Sequence, residues 1–158
     1  MDLPVVILVG GLGSRLKKIT KKKPKALIDI EGKPFILRQL NYLKLQGVKH
    51  VVICLGFLGD QIKKTVTNFS DKNFKIEFSN DGKDLLGTGG AIKKALPLLG
   101  NFFFVMYGDS YLPINYPLVE KKFYMSKKMA LMTIYKNKGR LDNSNVDFNN
   151  NIVRYNKK

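Results

Sequence analysis

Three glycines and an arginine fall within seven residues, Gly10-Gly11-Leu12-Gly13-Ser14-Arg15-Leu16, directly after the apolar run Leu3 to Val9. Glycines at such a place let the backbone turn sharply and bring its N–H groups within reach of phosphate oxygens. Arg15 adds a planar fork of donors that suits the same oxygens. The loop is not a dinucleotide fingerprint, because a G-x-G-x-x-G reading from Gly11 ends on Leu16. It is not a P-loop either, since no Lys-Ser or Lys-Thr closes it. Standing alone, it is equally accounted for as a glycine-rich turn carrying a solvated arginine.

Other residues with chemical potential recur along the chain. Lys25 follows Pro24 and the run Lys21-Lys22-Lys23. Asp109 follows Gly108 and the apolar run Phe102 to Tyr107, which would aim its carboxylate into a cleft at a strand end. Gly87-Thr88-Gly89 heads a helical pattern, and Thr88 there could bond a ligand or the helix start. One cysteine, Cys54, excludes an internal disulfide, and with the single His50 it cannot build a zinc site. The net charge of +16 would suit nucleic acid, an anionic membrane or phosphate-rich small molecules. Yet 24 of the 28 basic residues are Lys and only 4 are Arg, the residue favoured for base-edge and bidentate phosphate contacts. Nucleic acid is therefore not the expected partner.

These candidates need a scaffold, and the apolar patterning supplies one. Leu3 to Val9 and Val48 to Leu55 read as buried strands, Phe74 to Phe78 alternates in and out like a third, and Phe102 to Tyr107, again fully apolar, is a fourth. Between them, Phe35 to Gln46 carries Ile36, Leu40 and Leu43 at helical spacing and stops at Gly47. Asp60 is the expected cap of a helix bearing Ile62, Val66 and Phe69, and a third helix follows Thr88, interrupted late by Pro97. A weaker helix near Leu118 to Ser126, a strand from Met129 to Tyr135 and a hairpin from Val146 to Tyr155 complete the pattern. Strand and helix alternating in this way predict a Rossmann-like, three-layer α/β/α fold with a mostly parallel sheet, in one domain of 158 residues. Ligands of such folds sit beyond the carboxyl ends of the strands, which is where Gly10 and Asp109 fall. No apolar run is long enough to cross a bilayer and the start lacks a secretory pattern, so a cytoplasmic setting without membrane partners is expected.

Lys25, ten residues after Arg15, opens Lys25-Ala26-Leu27, and Ile30-Glu31-Gly32-Lys33-Pro34-Phe35 follows. With the glycine loop this resembles the signature of the sugar-1-phosphate nucleotidylyltransferases, and the likeness extends through Leu86-Gly87-Thr88-Gly89-Gly90-Ala91 and Gly108-Asp109-Ser110. The Leu-Gly-Thr-Gly-Gly-Ala block is most similar to the heptose 1-phosphate guanylyltransferase branch, with mannose-1-phosphate guanylyltransferases carrying a related block.

The resemblance implies nucleotidyl transfer from a nucleoside triphosphate, GTP favoured, to a sugar 1-phosphate, feeding cell-surface polysaccharide precursors. It makes Lys25 the charge between the reacting phosphates, Arg15 the holder of the leaving pyrophosphate, and Asp109 a Mg²⁺ ligand. A structural alternative has Asp109 capping the next helix. Leu8, Gly10, Gly11, Gly13, Ser14, Arg15, Gly87, Thr88 and Gly89 would bind nucleotide. Lys157 matches the lysine on the sugar phosphate, although Asn156 and Lys158 replace its acidic and proline neighbours. Family members continue past this point into a sugar-binding region and a second metal-ligating aspartate. No carboxylate here is placed to substitute for it, since Asp81 and Asp84 precede the nucleotide turn and Asp142 and Asp147 belong to the hairpin region. A non-catalytic nucleotide-binding subunit is the alternative reading, a basic nucleic-acid binder the third, and homo-oligomer formation is compatible with all of them.

Overall fold

A computed structural model describes residues 1–11, 22–82, 84–140, 143, 145–149 and 152–155. The chain forms two compact units, Met1–Lys122 and Phe123–Lys158. In the first, the described strands β1 (Val5–Leu8), β4 (His50–Leu55), β5 (Lys75–Asn80) and β6 (Phe104–Tyr107) make a parallel sheet in the order β5-β4-β1-β6. A small antiparallel pair, β2 (Asp29–Ile30) and β3 (Lys33–Pro34), precedes the first long helix.

The sheet is central because the side chains of its inner strands, His50 apart, are apolar and point alternately to opposite faces. Val5, Ile7, Val51 and Ile53 pack on one face with Ile36, Leu40 and Leu43 of α1 (Phe35–Leu45) and Ile62 and Val66 of α2 (Gly59–Val66). Val6, Val52 and Cys54 face the other way, against Ala91, Ala95 and Leu99 of α3 (Gly87–Leu99). The fold is thus three-layered α/β/α, as the patterning predicts. α1 ends where expected, with Gly47 at φ +79°, a backbone state costly for other residues.

Several expectations are corrected. Asp60 does not cap α2: Leu58, at φ 55°, occupies the cap position and Asp60 lies within the first turn, where its charge still suits the helix dipole. α3 does not break at Pro97 but runs through it to Leu99. Pro97 removes one intrahelical hydrogen bond, the one its N–H would have made to the Lys93 carbonyl, and only two helical residues follow it. The strand expected from Met129 to Tyr135 does not form. Met129, Met132 and Tyr135 are exposed, and alternating apolar residues make a strand only where a neighbouring ladder satisfies the backbone. The helix expected near Leu118 is α4 (Tyr116–Ser126). The hairpin is present as β7 (Val146–Asn149) paired antiparallel with β8 (Ile152–Tyr155).

Candidate active site

The carboxyl ends of β1, β4, β5 and β6 and the N-terminus of α3 surround a cleft of about 350 Å³. Close backbone approach shapes its floor. A Cβ on Gly56 would stand 2.7 Å from the Gly10 carbonyl oxygen, and one on Gly108 would stand 2.2 Å from Val9 Cγ1. Only glycine lets the chain leaving β4 and β6 lie so tightly against the end of β1.

Lys25 is placed by a 3-10 turn, Lys25–Leu27, whose Ala26 and Leu27 are buried and anchor it beside the sheet. Its Nζ donates to Asp109 Oδ2 at 2.6 Å, with the two side chains 36% and 41% exposed. Two residues 84 positions apart in sequence therefore meet at the mouth of the cleft. This is not the surroundings of a lysine merely continuing a solvated basic run.

Asp109 owes its position to the turn after β6. Gln39 of α1 is 3% exposed, and its Nε2 donates to the carbonyls of Tyr107, at 3.2 Å, and Ser110, at 2.7 Å. One buried amide thus pins the backbone on both sides of Asp109, a positioning element the sequence did not single out. Asp109 is not a helix cap. Asn115 takes that role, its Oδ1 accepting from the Leu118 N–H at 2.9 Å.

Across the cleft, α3 begins with Gly87 at φ 67° and no side chain caps its first turn, so its leading N–H groups remain available to a ligand. Leu8, Gly10, Gly11, Gly87 and Thr88 line the cleft together with Lys25 and Asp109. Gly89 belongs to the same helix start but not to the lining. Gly13, Ser14, Arg15 and Lys157 lie outside the described residues. Cys54 lines the cleft wall, and burial pushes its thiol up to about 11, with the charge of Asp81 acting in the same direction.

Asp81 itself lines the cleft, a role the sequence reading did not give it when it placed Asp81 only as a residue before the nucleotide turn. It is 8% exposed and follows β5 directly, so the rule that pointed to Asp109 applies to it equally.

The chain as a whole is similar to known proteins. The nucleotidyl transferase family model matches residues 4–150. The chain belongs to this family. It is 35% identical over 158 residues to the D-glycero-alpha-D-manno-heptose 1-phosphate guanylyltransferase of Campylobacter jejuni, covering 99% of this chain and 69% of that protein. Mannose-1-phosphate guanyltransferase of Aspergillus oryzae is 34% identical over 122 residues, covering 75% of this chain and 33% of that one. Among solved structures, HddC from Yersinia pseudotuberculosis complexed with GMP-PN superposes with a TM-score of 0.67 at 41% identity, over 78% of this chain and 53% of that chain. The match thus spans from a third to about seven-tenths of these longer relatives.

Proposed function

We propose that the protein transfers a nucleotidyl group from a nucleoside triphosphate, GTP by preference, to a sugar 1-phosphate. An oxygen of the sugar phosphate attacks the α-phosphorus, the bond from that phosphorus to the bridging oxygen breaks, and pyrophosphate leaves with the bonding pair. The observation that carries this reading is the meeting of Lys25 and Asp109 at 2.6 Å, on the rim of a cleft floored by glycine backbone. Two anions must be aligned against their mutual repulsion, and positioned charge does most of the work in such reactions.

Lys25 serves as the cation between the reacting phosphates, leaving Asp109 for the incoming nucleotide. Arg15, next along the glycine loop, takes the β and γ phosphates, and Lys157 the phosphate of the sugar; both roles rest on the sequence alone. The N–H groups at the start of α3 and the Gly10–Gly11 backbone bind the nucleotide from the opposite side. The donor set also suits Mg²⁺. Among the described residues no cluster of three or more His, Cys, Asp or Glu could hold a metal unaided. A single exposed carboxylate is what a Mg²⁺ completed by substrate phosphates and water requires. Asp109 would hold it, and the ion would neutralise phosphate charge.

A product of this kind feeds the synthesis of cell-surface polysaccharide in the cytoplasm, where nucleoside triphosphates are present. No helix among the described residues is long and apolar enough to cross a membrane. Pyrophosphate release from a panel of nucleoside triphosphates and sugar 1-phosphates tests the proposal. Release that requires both substrates is the expected result. Nucleotide binding without release from any pair would refute it in favour of a non-catalytic nucleotide-binding subunit.

A further inference from the structure

We infer that Met129–Tyr135 is a docking strand for another protein, and that the partner lays beside it an extended segment with an apolar centre and acidic ends. The inference goes beyond the nucleotidyl-transfer reading and does not rest on it. None of the described residues of the unit Phe123–Lys158 is buried, so among them there is no core. Its hairpin of β7 and β8 has strands of four residues, and an isolated pair of that length is marginal in water. Within this unit all seven residues from Met129 to Tyr135 are exposed, Met129 completely and Tyr135 to 74%, and they join no ladder. Thr133 is the one polar residue among them. Contiguous exposed apolar surface of this kind marks an interaction site.

The pattern of the segment says what covers it. Side chains of an extended chain point alternately to opposite faces. Met129, Leu131 and Tyr135 fall on one face and Ala130, Met132 and Ile134 on the other, so both faces are apolar. That is the pattern of an inner strand, covered above and below and paired along its edges. A segment lying on a lipid surface is apolar on one face only, and lipid offers no partner to N–H and C=O groups. Single-stranded nucleic acid requires cations interleaved with aromatics. The cations here stand outside the stretch, Lys127 and Lys128 before it and Lys136, Lys138 and Arg140 after it. These flanks also disfavour a second copy of the chain. No acidic residue lies between Glu120 and Asp142, so two copies paired in either direction set lysine against lysine at both ends. A strand with acidic ends meets the same flanks with attraction, and pairing along an open strand is an established mode of protein recognition.

Fluorescence anisotropy of fluorescein-labelled peptides titrated with the 158-residue chain tests this. The first peptide alternates Val and Thr between pairs of Glu, the second carries Lys in place of Glu, and the third keeps the Glu ends around a centre holding prolines. The first should bind about tenfold or more tightly than the second, since opposite-charge pairs are exchanged for like-charge ones. It should outbind the third by about the same factor, because proline cannot donate to a ladder. Thr133→Pro should remove the preference for the first peptide over the third, and Lys136→Glu combined with Lys138→Glu should narrow the preference for Glu ends. All three positions are exposed, so melting temperature and GTP binding should stay those of wild type. Equal binding of the first and third peptides would mean that net charge alone attracts them, and would overturn the proposal. No binding of the first at about 1 mM would overturn it too. A dimer in light scattering that Thr133→Pro dissolves would assign the strand to a second copy, and phosphatidylglycerol vesicles that bind wild type but not Thr133→Pro would assign it to lipid; either overturns the proposal. None of these outcomes alters the nucleotide reading, which stands or falls on pyrophosphate release.

Discussion

Lys25→Ala separates a catalytic role from a structural one. The ion pair it would remove is short, 2.6 Å, but each partner keeps more than a third of its side-chain surface in solvent. Screening at that exposure limits such a pair to about 0.2–1 kcal/mol of stability. In a chain of this length 1 kcal/mol moves Tm by about 2–4 °C, so the variant should melt within about 4 °C of wild type. The chemical consequence should be far larger. A cation positioned on charge that develops during transfer resembles a preorganised donor, whose removal costs about 3 kcal/mol and lowers turnover by a factor on the order of 10². Initial rates of pyrophosphate release, nucleotide titrations and thermal melts on the same preparation give the three numbers required. The expected pattern is a near-native melt, nucleotide affinity altered several-fold at most, and turnover reduced about a hundredfold. Affinity and turnover falling by the same factor would mean that Lys25 only binds. A fall in Tm of 10 °C would show that the pair is structural.

Three further outcomes follow from the geometry. Asp109→Asn should lose most of the Mg²⁺-dependent part of nucleotide affinity, while affinity in EDTA stays level or rises because a negative charge near the phosphates has gone; an unchanged Mg²⁺ dependence would remove Asp109 from the metal. Gln39→Leu leaves the Tyr107 and Ser110 carbonyls without their donor, which should cost about 2 kcal/mol and roughly 4–8 °C in Tm. It should also raise the Mg²⁺ concentration needed for half-maximal turnover, whereas destabilisation with an unchanged Mg²⁺ requirement would reduce Gln39 to a packing role. Cys54, buried and with its thiol pushed up to about 11, should resist iodoacetamide at pH 8 in the folded protein and react in denaturant, and rapid native alkylation would contradict its burial.

The parts of the site legible in the sequence are those governed by strands buried on both faces. Val5 to Leu8 and Val51 to Leu55 are continuous apolar runs because helices cover the sheet above and below, and glycine follows each run within two residues. Asp109 could be placed because β6, although an outer strand with Val105 and Tyr107 exposed, is still written as an unbroken apolar run, and Asp109 is the first charged residue past it. Asp81 could not, because β5 ends in Ser79 and Asn80, polar residues that carry no apolar run up to it. Had the strand been carried two residues past Phe78, the strand-end rule would have reached it. Gln39 was hidden differently: a lone amide on the apolar face of α1 gives no periodic signal, and its purpose shows only once Tyr107 and Ser110 are beside it. The failed strand from Met129 to Tyr135 teaches the converse, that alternation states a capacity to pair and says nothing of whether a partner is present.

The charge distribution bears on the nucleotide more than the total of +16 does. Of the charged residues described in the cleft lining, one is a cation, Lys25, and two are anions, Asp81 and Asp109. A triphosphate entering there would meet a locally unfavourable field unless further positive charge came with it or waited beside it. The sequence supplies Arg15, Lys17, Lys18 and Lys21 in the segment that follows Gly11, and the proposed Mg²⁺ would offset Asp109. Phosphate binding should then depend on salt. Added KCl should weaken GTP binding progressively between about 0.05 and 0.5 M, because the ionic atmosphere screens the triphosphate from those cations. Titrations of GTP in the presence of Mg²⁺ across that range check it, and an affinity unchanged by salt would mean that exposed cations contribute nothing to holding the phosphates.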